Sequence, residues 1–171
     1  MSAWCVVTAR CYVEIRSFRG RINTCQESYV KLNGTLIFYA QSRCKSTVAA
    51  TPGATRGFHV HLIDPFACSM IEAGHFDTYA YNAHAAALRD YLDGLDDYAV
   101  ITGHMFDDAV MRLNLSHDAL LRVGVDLRNL NYLDTFAFVT QKSTNEKILR
   151  TEPKDVSVEN PANLSVMITG M

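Results

Sequence analysis

The sequence predicts an α+β fold, with antiparallel-rich sheet layers carrying a few helices along one side. Three observations point there. The first third of the chain is rich in β-forming residues at alternating positions, an Asn-Gly pair stands between two such runs, and one amphipathic helix in the middle is followed by further apolar strand segments. The order strands, helix, strand, helices, strand, strand matches layers of that kind.

The elements follow in chain order. Cys11 to Arg16 (CYVEIR) alternates as a half-buried strand does. Ser28 to Leu32 and Leu36 to Gln41 flank Asn33-Gly34, a hairpin turn whose two central residues both need positive φ. Lys45 to Thr55 is small, polar and broken by Pro52-Gly53, as an exposed loop is. Gly57 to Asp64 (GFHVHLID) is a dense apolar strand that stops at Asp64-Pro65. In Ala83 to Leu95, the residues Ala87, Leu88, Tyr91, Leu92 and Leu95 share one face at helical spacing. Tyr98 to Thr102 reads as a buried strand. Asp107 to Leu113 reads as a short helix with acidic residues in its first turn, where the helix dipole favours them. Ser116 can cap a further helix, His117 to Val123, that Gly124 closes. Thr135 to Gln141 and Leu164 to Thr169 return to strand.

No repeat, low-complexity tract or linker divides the 171 residues, so the expectation is one domain spanning 1–171. A net charge of -2 shows none of the basic excess of a nucleic-acid binder. No apolar run approaches the roughly 20 residues of a membrane helix, so no membrane insertion is expected. The N-terminal MSAWCVVTARCYVEI lacks the basic start and long apolar stretch of a signal peptide. That fits either a cytosolic protein or the mature form of a secreted one.

The cysteines favour the secreted form. Cys5, Cys11, Cys25, Cys44 and Cys68 all lie in the first 68 residues, and no two form a Cys-x-x-Cys pair. That clustering suits disulfides tying loops to a sheet. An odd count leaves one thiol over, and Cys5, near the terminus, is the candidate for an interchain bridge in a homodimer. Five reduced, buried cysteines are the plainer alternative. Sequons at Asn33, Asn114 and Asn163 add little, because such triplets also arise by chance.

Three segments occur in a recognisable order. RGFHVHLIDP (56–65) precedes FDTY (76–79). LRDYLDGL (88–95) precedes YAVITGHMFDDAVMRL (98–113). LDTFAFVTQK (133–142) follows. Together they resemble the interleukin-like EMT inducer domain, also called the PANDER-like domain, over a core of about residues 28–142. That domain occurs in secreted cytokine-like proteins, in the stem of protein O-linked-mannose N-acetylglucosaminyltransferase, and in some cell-surface hyaluronan-processing proteins. The resemblance implies a compact β-sandwich-like core with helices alongside. It also implies glycan binding, since the transferase stem is a lectin-type module. In that stem an arginine of the RG motif and an aspartate in the turn after the post-helix strand contact sugar. They match Arg56 and Asp107 here. A second arginine of the stem is replaced by Leu133, which puts its N-acetylglucosamine preference in doubt.

The chemistry suits those residue types. Water competes for every sugar hydroxyl, so a useful site needs charged partners in fixed positions. Arg56 offers a planar fork of donors, and Asp107 can accept from two adjacent hydroxyls. Placed together, the two would also pair with each other when empty. A flat ring must meet the sugar's C–H face, and Tyr132, Phe106 and Tyr79 are the nearby aromatics. His104, Asn129 and Asn131 can add hydrogen bonds. The axial 4-hydroxyl of galactose leaves one continuous C–H patch, which favours galactose-terminated ligands. The ligand-binding set is therefore Arg56, Asp107, His104, Tyr132, Asn131 and Phe106, with no cofactor, no metal and no catalysis. The plainer readings are an Arg56–Asp107 ion pair without a ligand, packing roles for Tyr132 and Phe106, and turn or strand-end caps at Asp77 and Asp134.

Two rivals differ in class. His59 and His61 share one face of a strand, as metal ligands can, and His75, His84, His104 or His117 could supply a third ligand; no carboxylate-histidine helix motif accompanies them. The Asp96-Asp97 and Asp107-Asp108 neighbours point apart and suit paired acid-base work poorly. The stronger rival is a cytokine-like signalling protein acting through a protein receptor.

Overall fold

The computed structural model describes residues 10–18, 27–41, 50–132, 134–143, 150–151 and 161–169. Two antiparallel sheets face each other, and two short helices cover the outer side of the second sheet. The fold is thus mostly β, with less helix than an α+β label implies.

The first sheet holds β1 (Arg10–Ser17), β2 (Glu27–Leu32), β3 (Thr35–Gln41) and β9 (Ala162–Thr169), in the order β3-β2-β1-β9. Alternation in β1 sends Cys11, Val13, Ile15 and Ser17 inward and leaves the residues between them at or near the surface. Asn33 (φ 47°) and Gly34 (φ 79°) form the β2–β3 turn in the left-handed region, as the Asn-Gly pair requires. Asn33 Oδ1 also accepts from the Tyr12 amide at 2.8 Å, which ties the turn to β1.

The second sheet holds β4 (Gly57–Asp64), β5 (Ser69–Phe76), β6 (Val100–Phe106), β7 (Ala137–Gln141) and β8 (Arg150–Thr151), in the order β5-β4-β6-β7-β8. β4 is an inner strand, flanked by β5 and β6 and buried on both faces, which explains its unbroken apolar run. On the inner face, Ile63, Val100, Ala137 and Val139 pack against Val13, Ile15, Val30, Leu32 and Phe38 of the first sheet. On the outer face, Phe58, Val60, Ile101, Met105 and Phe138 meet Leu88 and Leu92 of α1 (Asn82–Gly94) and Ala119 and Leu120 of α2 (His117–Arg122). A disulfide joins Cys11 on β1 to Cys68 in the β4–β5 turn, so it crosses from one sheet to the other.

Several expectations need correction. Asp107 to Leu113 is not a helix: Asp107 has φ 64°, and one 3-10 turn follows at Leu113–Ser116. Ser116 precedes α2, but its hydroxyl caps nothing and donates instead to Ala85 O on α1 at 2.7 Å. The strand expected at Tyr98 to Thr102 starts two residues later and runs on to Phe106. β5 carried no expectation. Cys5, Cys25, Cys44 and Leu133 lie outside the described residues, and so does any test of an interchain bridge at Cys5.

Candidate functional site

Strand register assembles the site. Gly57 on β4 pairs with Phe106 on β6, which puts Arg56 and Asp107 side by side just beyond the ladder. Phe58 pairs with Phe76 on β5, which brings Asp77 to the other flank of Arg56. Gly57 makes this crowding possible. Its φ is +133°, and a Cβ there would sit 2.4 Å from the Phe76 carbonyl oxygen, so only glycine fits between Arg56 and the β5 end.

Arg56 is pinned from two directions. Its Nη2 donates to Asp77 Oδ2 at 2.8 Å and its Nε to Asp77 Oδ1 at 3.3 Å, a two-pronged pair. Its guanidinium also lies over the Tyr79 ring, 4.5 Å from the centroid. Nη1 has no hydrogen-bond partner among the described residues. The Asp77 hydrogen bond raises the guanidinium pKa above its ordinary value, burial opposes this, and the charges of Asp77 and Asp107 add to the rise. Burial pushes the Asp77 carboxyl up, but the Arg56 hydrogen bond and the Ala80 amide outweigh it and hold Asp77 below its usual range. The carboxylate that pairs with Arg56 is therefore Asp77 and not Asp107.

Asp107 is the strained member. Its left-handed backbone costs on the order of 1 kcal/mol for a residue with a Cβ, and such strain gathers at functional sites. Its Oδ1 is buried and has no hydrogen-bond partner among the described residues.

The loops bearing these groups are tied together. Thr78 Oγ1 donates to Ala109 O at 2.6 Å, the Arg112 amide donates to Thr78 O at 3.0 Å, and Arg112 Nη1 donates to Tyr79 O. His84 Nδ1 on α1 accepts from the Asp77 amide at 2.9 Å. Replacing Thr78, which is fully buried, with Val removes a donor and leaves the Ala109 carbonyl unmet. Thermal or urea unfolding of Thr78→Val should show a loss of about 1–3 kcal/mol.

The remaining residues divide. Tyr132 is 42% exposed, and its ring lies 6.3 Å from that of Tyr79, so the two form an aromatic strip beside Arg56. Asn131 is exposed; its amide and Nδ2 donate to Asp134 Oδ2 at 2.7 and 3.3 Å, which fixes the turn carrying Tyr132. Asp134 is thus the turn-holding residue expected. Phe106 and His104 are corrections. Phe106 packs, partly buried, against the core between the sheets. His104 is fully buried in that same layer, because β6 continues past Thr102 and carries it inside. Neither belongs to the Arg56 surface. Asp77 is only in part the turn or cap residue that the sequence suggests. It does accept from the Ala80 amide at 3.1 Å, but its pairing with Arg56 depends on strand register, which no local motif reveals.

His59 and His61 do share a face, yet no group of three His, Cys, Asp or Glu side chains among the described residues is arranged to hold a metal ion. A separate cavity of about 440 Å³ lies at the opposite end of β4. Leu62, Phe66, Ile71, Leu95, Tyr98 and Ile168 are among its walls.

A family model described as interleukin-like EMT inducer matches residues 56–144, just over half of the chain and the whole of the Arg56–Asp107 region. No curated protein matches the chain in sequence.

Proposed function

The chain belongs to the interleukin-like EMT inducer family, and from that premise we propose that it is a secreted, non-catalytic lectin that binds terminal sugars on secreted or cell-surface glycans, galactose-type above others. One observation carries the reading: a strained aspartate with an unmet buried oxygen beside an arginine already held in place. Asp77 and Tyr79 fix the guanidinium before a ligand arrives, so little side-chain freedom is lost on binding. Arg56 Nη1 donates to a sugar hydroxyl, and Asp107 accepts from a neighbouring one. The Tyr79–Tyr132 strip offers a rigid face to the sugar's C–H patch.

Binding suits this chemistry better than cleavage. Acid-base work on a glycosidic bond needs one carboxyl kept protonated near neutral pH. Here the guanidinium lies between two aspartates and holds Asp77 ionised. A site this open should bind one sugar at about 1 mM to 1 μM, roughly -4 to -8 kcal/mol. A homodimer, with Cys5 as the proposed bridge, would raise this by avidity on a glycan-coated surface. The cross-sheet disulfide supports an oxidising, extracellular location.

A glycan array probed with the chain, with and without chelator, tests the reading. Selective, chelator-resistant binding to galactose-terminated glycans is the expected result. A blank array would contradict it.

A second reading has its own observation. Phe66, Ile71 and Tyr98 are 64%, 62% and 63% exposed around the cavity at the far end of β4. Apolar side chains gathered at one place suit docking on a protein. A signalling role through a receptor predicts saturable cell binding that is lost in Phe66→Ser and kept in Asp107→Ala.

A further inference from the structure

The layer between the sheets contains a row of histidines that an apolar core has no need of. His75 on β5, His59 on β4 and His104 on β6 are cross-strand partners, and His61 lies two residues along β4. Their rings stack, with centroids 4.7 Å apart for His59–His75, 5.3 Å for His59–His104 and 5.5 Å for His61–His104. From the facing sheet Phe38 covers three of them, at 4.6, 5.7 and 4.5 Å from His59, His61 and His104.

His104 is fully buried, and neither ring nitrogen has a hydrogen-bond partner among the described residues. A neutral imidazole can be held there only at some cost in stability. A charged one would have no counter-ion among the described residues. The groups acting on the row are Phe38 from β3, the Thr102 hydroxyl of β6 at 3.2 Å from His61 Nδ1, and the imidazoles themselves. At the outer end stands Asp77, whose carboxylate feels His75.

That outer end reaches the Arg56 segment. His59 Nε2 lies 2.8 Å from Thr55 O, and His75 Nε2 lies 2.9 Å from Arg56 O and 3.2 Å from Thr55 Oγ1. A carbonyl only accepts, so both nitrogens carry the proton and donate. Two neighbouring imidazoles thus hold the two successive backbone carbonyls at the head of β4.

We propose that this row is an acid-operated latch: uncharged, it closes the two sheets and holds the Thr55–Arg56 backbone, and on protonation it opens the sheets and frees Arg56. Below the opening pH the chain therefore lets go of any ligand held by Arg56. The release step rests on the lectin reading, while the opening step does not.

The test uses the full chain. Amide exchange of β4 and β6 is followed from pH 7 to pH 4, together with the histidine Cε1–H resonances by NMR. The expected result is that the buried rings of His59, His61 and His104 stay neutral until the sheets open, all in one transition. A ring of His59, His61 or His104 that titrates near the ordinary value of about 6.5 with exchange protection intact would overturn the latch. In a second arm, His59→Gln keeps an N–H for Thr55 O without a titratable group, and His104→Phe fills the layer without one. Each should fold at pH 7 and move the opening to lower pH, by about one unit in the double variant. An unmoved transition would also overturn it. A third arm follows release from an immobilised galactose-terminated glycan. Release should coincide with opening, and release without opening would overturn the coupling. Absence of any glycan binding at pH 7 would end the lectin reading while the first two arms still decide the latch.

Discussion

Removing the Cys11–Cys68 disulfide should cost about 4 kcal/mol of stability. The bridge closes a loop with a sequence separation of 57, and the chain-entropy relation for a loop of that size gives about 4 kcal/mol at 25 °C. The position adds to the effect. Cys11 is fully buried in the core between the sheets, and Cys68 packs against the same core from the β4–β5 turn. The bridge thus holds the two sheets together at the end of β4 away from Arg56. Against a total of about 5–15 kcal/mol for a small domain, this loss is large. Urea unfolding of Cys11→Ala/Cys68→Ala beside the unchanged chain measures it. A difference below about 1 kcal/mol would mean that the packing alone joins the sheets.

Acid should weaken the fold by a similar amount. Burial, against the Thr55 hydrogen bond and with smaller contributions from His75 and His61, lowers the His59 pKa to about 3. Burial lowers His61 to about 4. Burial, then the neighbouring His59 and His61, hold His104 well below its ordinary value. In the unfolded chain each titrates near 6.5. Between that value and the folded values the unfolded state binds more protons, so stability is complete above about pH 6.5 and falls as pH drops. At pH 5 each group has lost about 2 kcal/mol, so His59 and His61 together cost about 4 kcal/mol, and His104 adds in the same direction. Unfolding midpoints at pH 7 and pH 5 should differ accordingly. Equal midpoints would mean that the imidazoles are not enclosed as the sheets place them.

Much of the fold was legible because its signals are local. The Asn33-Gly34 turn, the alternation of β1 and the closed apolar run of β4 each follow from neighbouring residues. β5 was not legible for a physical reason. It is an edge strand, and Ser69 to Ala73 are exposed whichever way they point, so burial imposes no alternation on them. The acidic start of Asp107 to Leu113 imitates a helix N-terminus. There the left-handed Asp107 breaks the backbone, and Asp108 Oδ1 accepts from the Val110 amide in a local turn.

The candidate site was legible only in part. Arg56 and Asp107 emerged from the family resemblance, and strand register does make them neighbours. Asp77 looks like a turn residue in the sequence because its partner lies 21 residues away. A strand ending at Thr102 leaves His104 beyond it as a surface donor, and four more strand residues turn it into a core one.

The most direct measurement of the central claim is glycan affinity in Asp107→Ala, with unfolding followed on the same samples. A lost charge-assisted hydrogen bond is worth about 1.5–3 kcal/mol, so affinity for a galactose-terminated glycan should fall by about 10- to 100-fold. Stability should change by no more than about 1 kcal/mol, since among the described residues the Asp107 side chain makes no hydrogen bond and acts on the fold through its charge on Arg56. Undiminished affinity in a folded Asp107→Ala protein would contradict the claim that this carboxylate and Arg56 together grip the sugar.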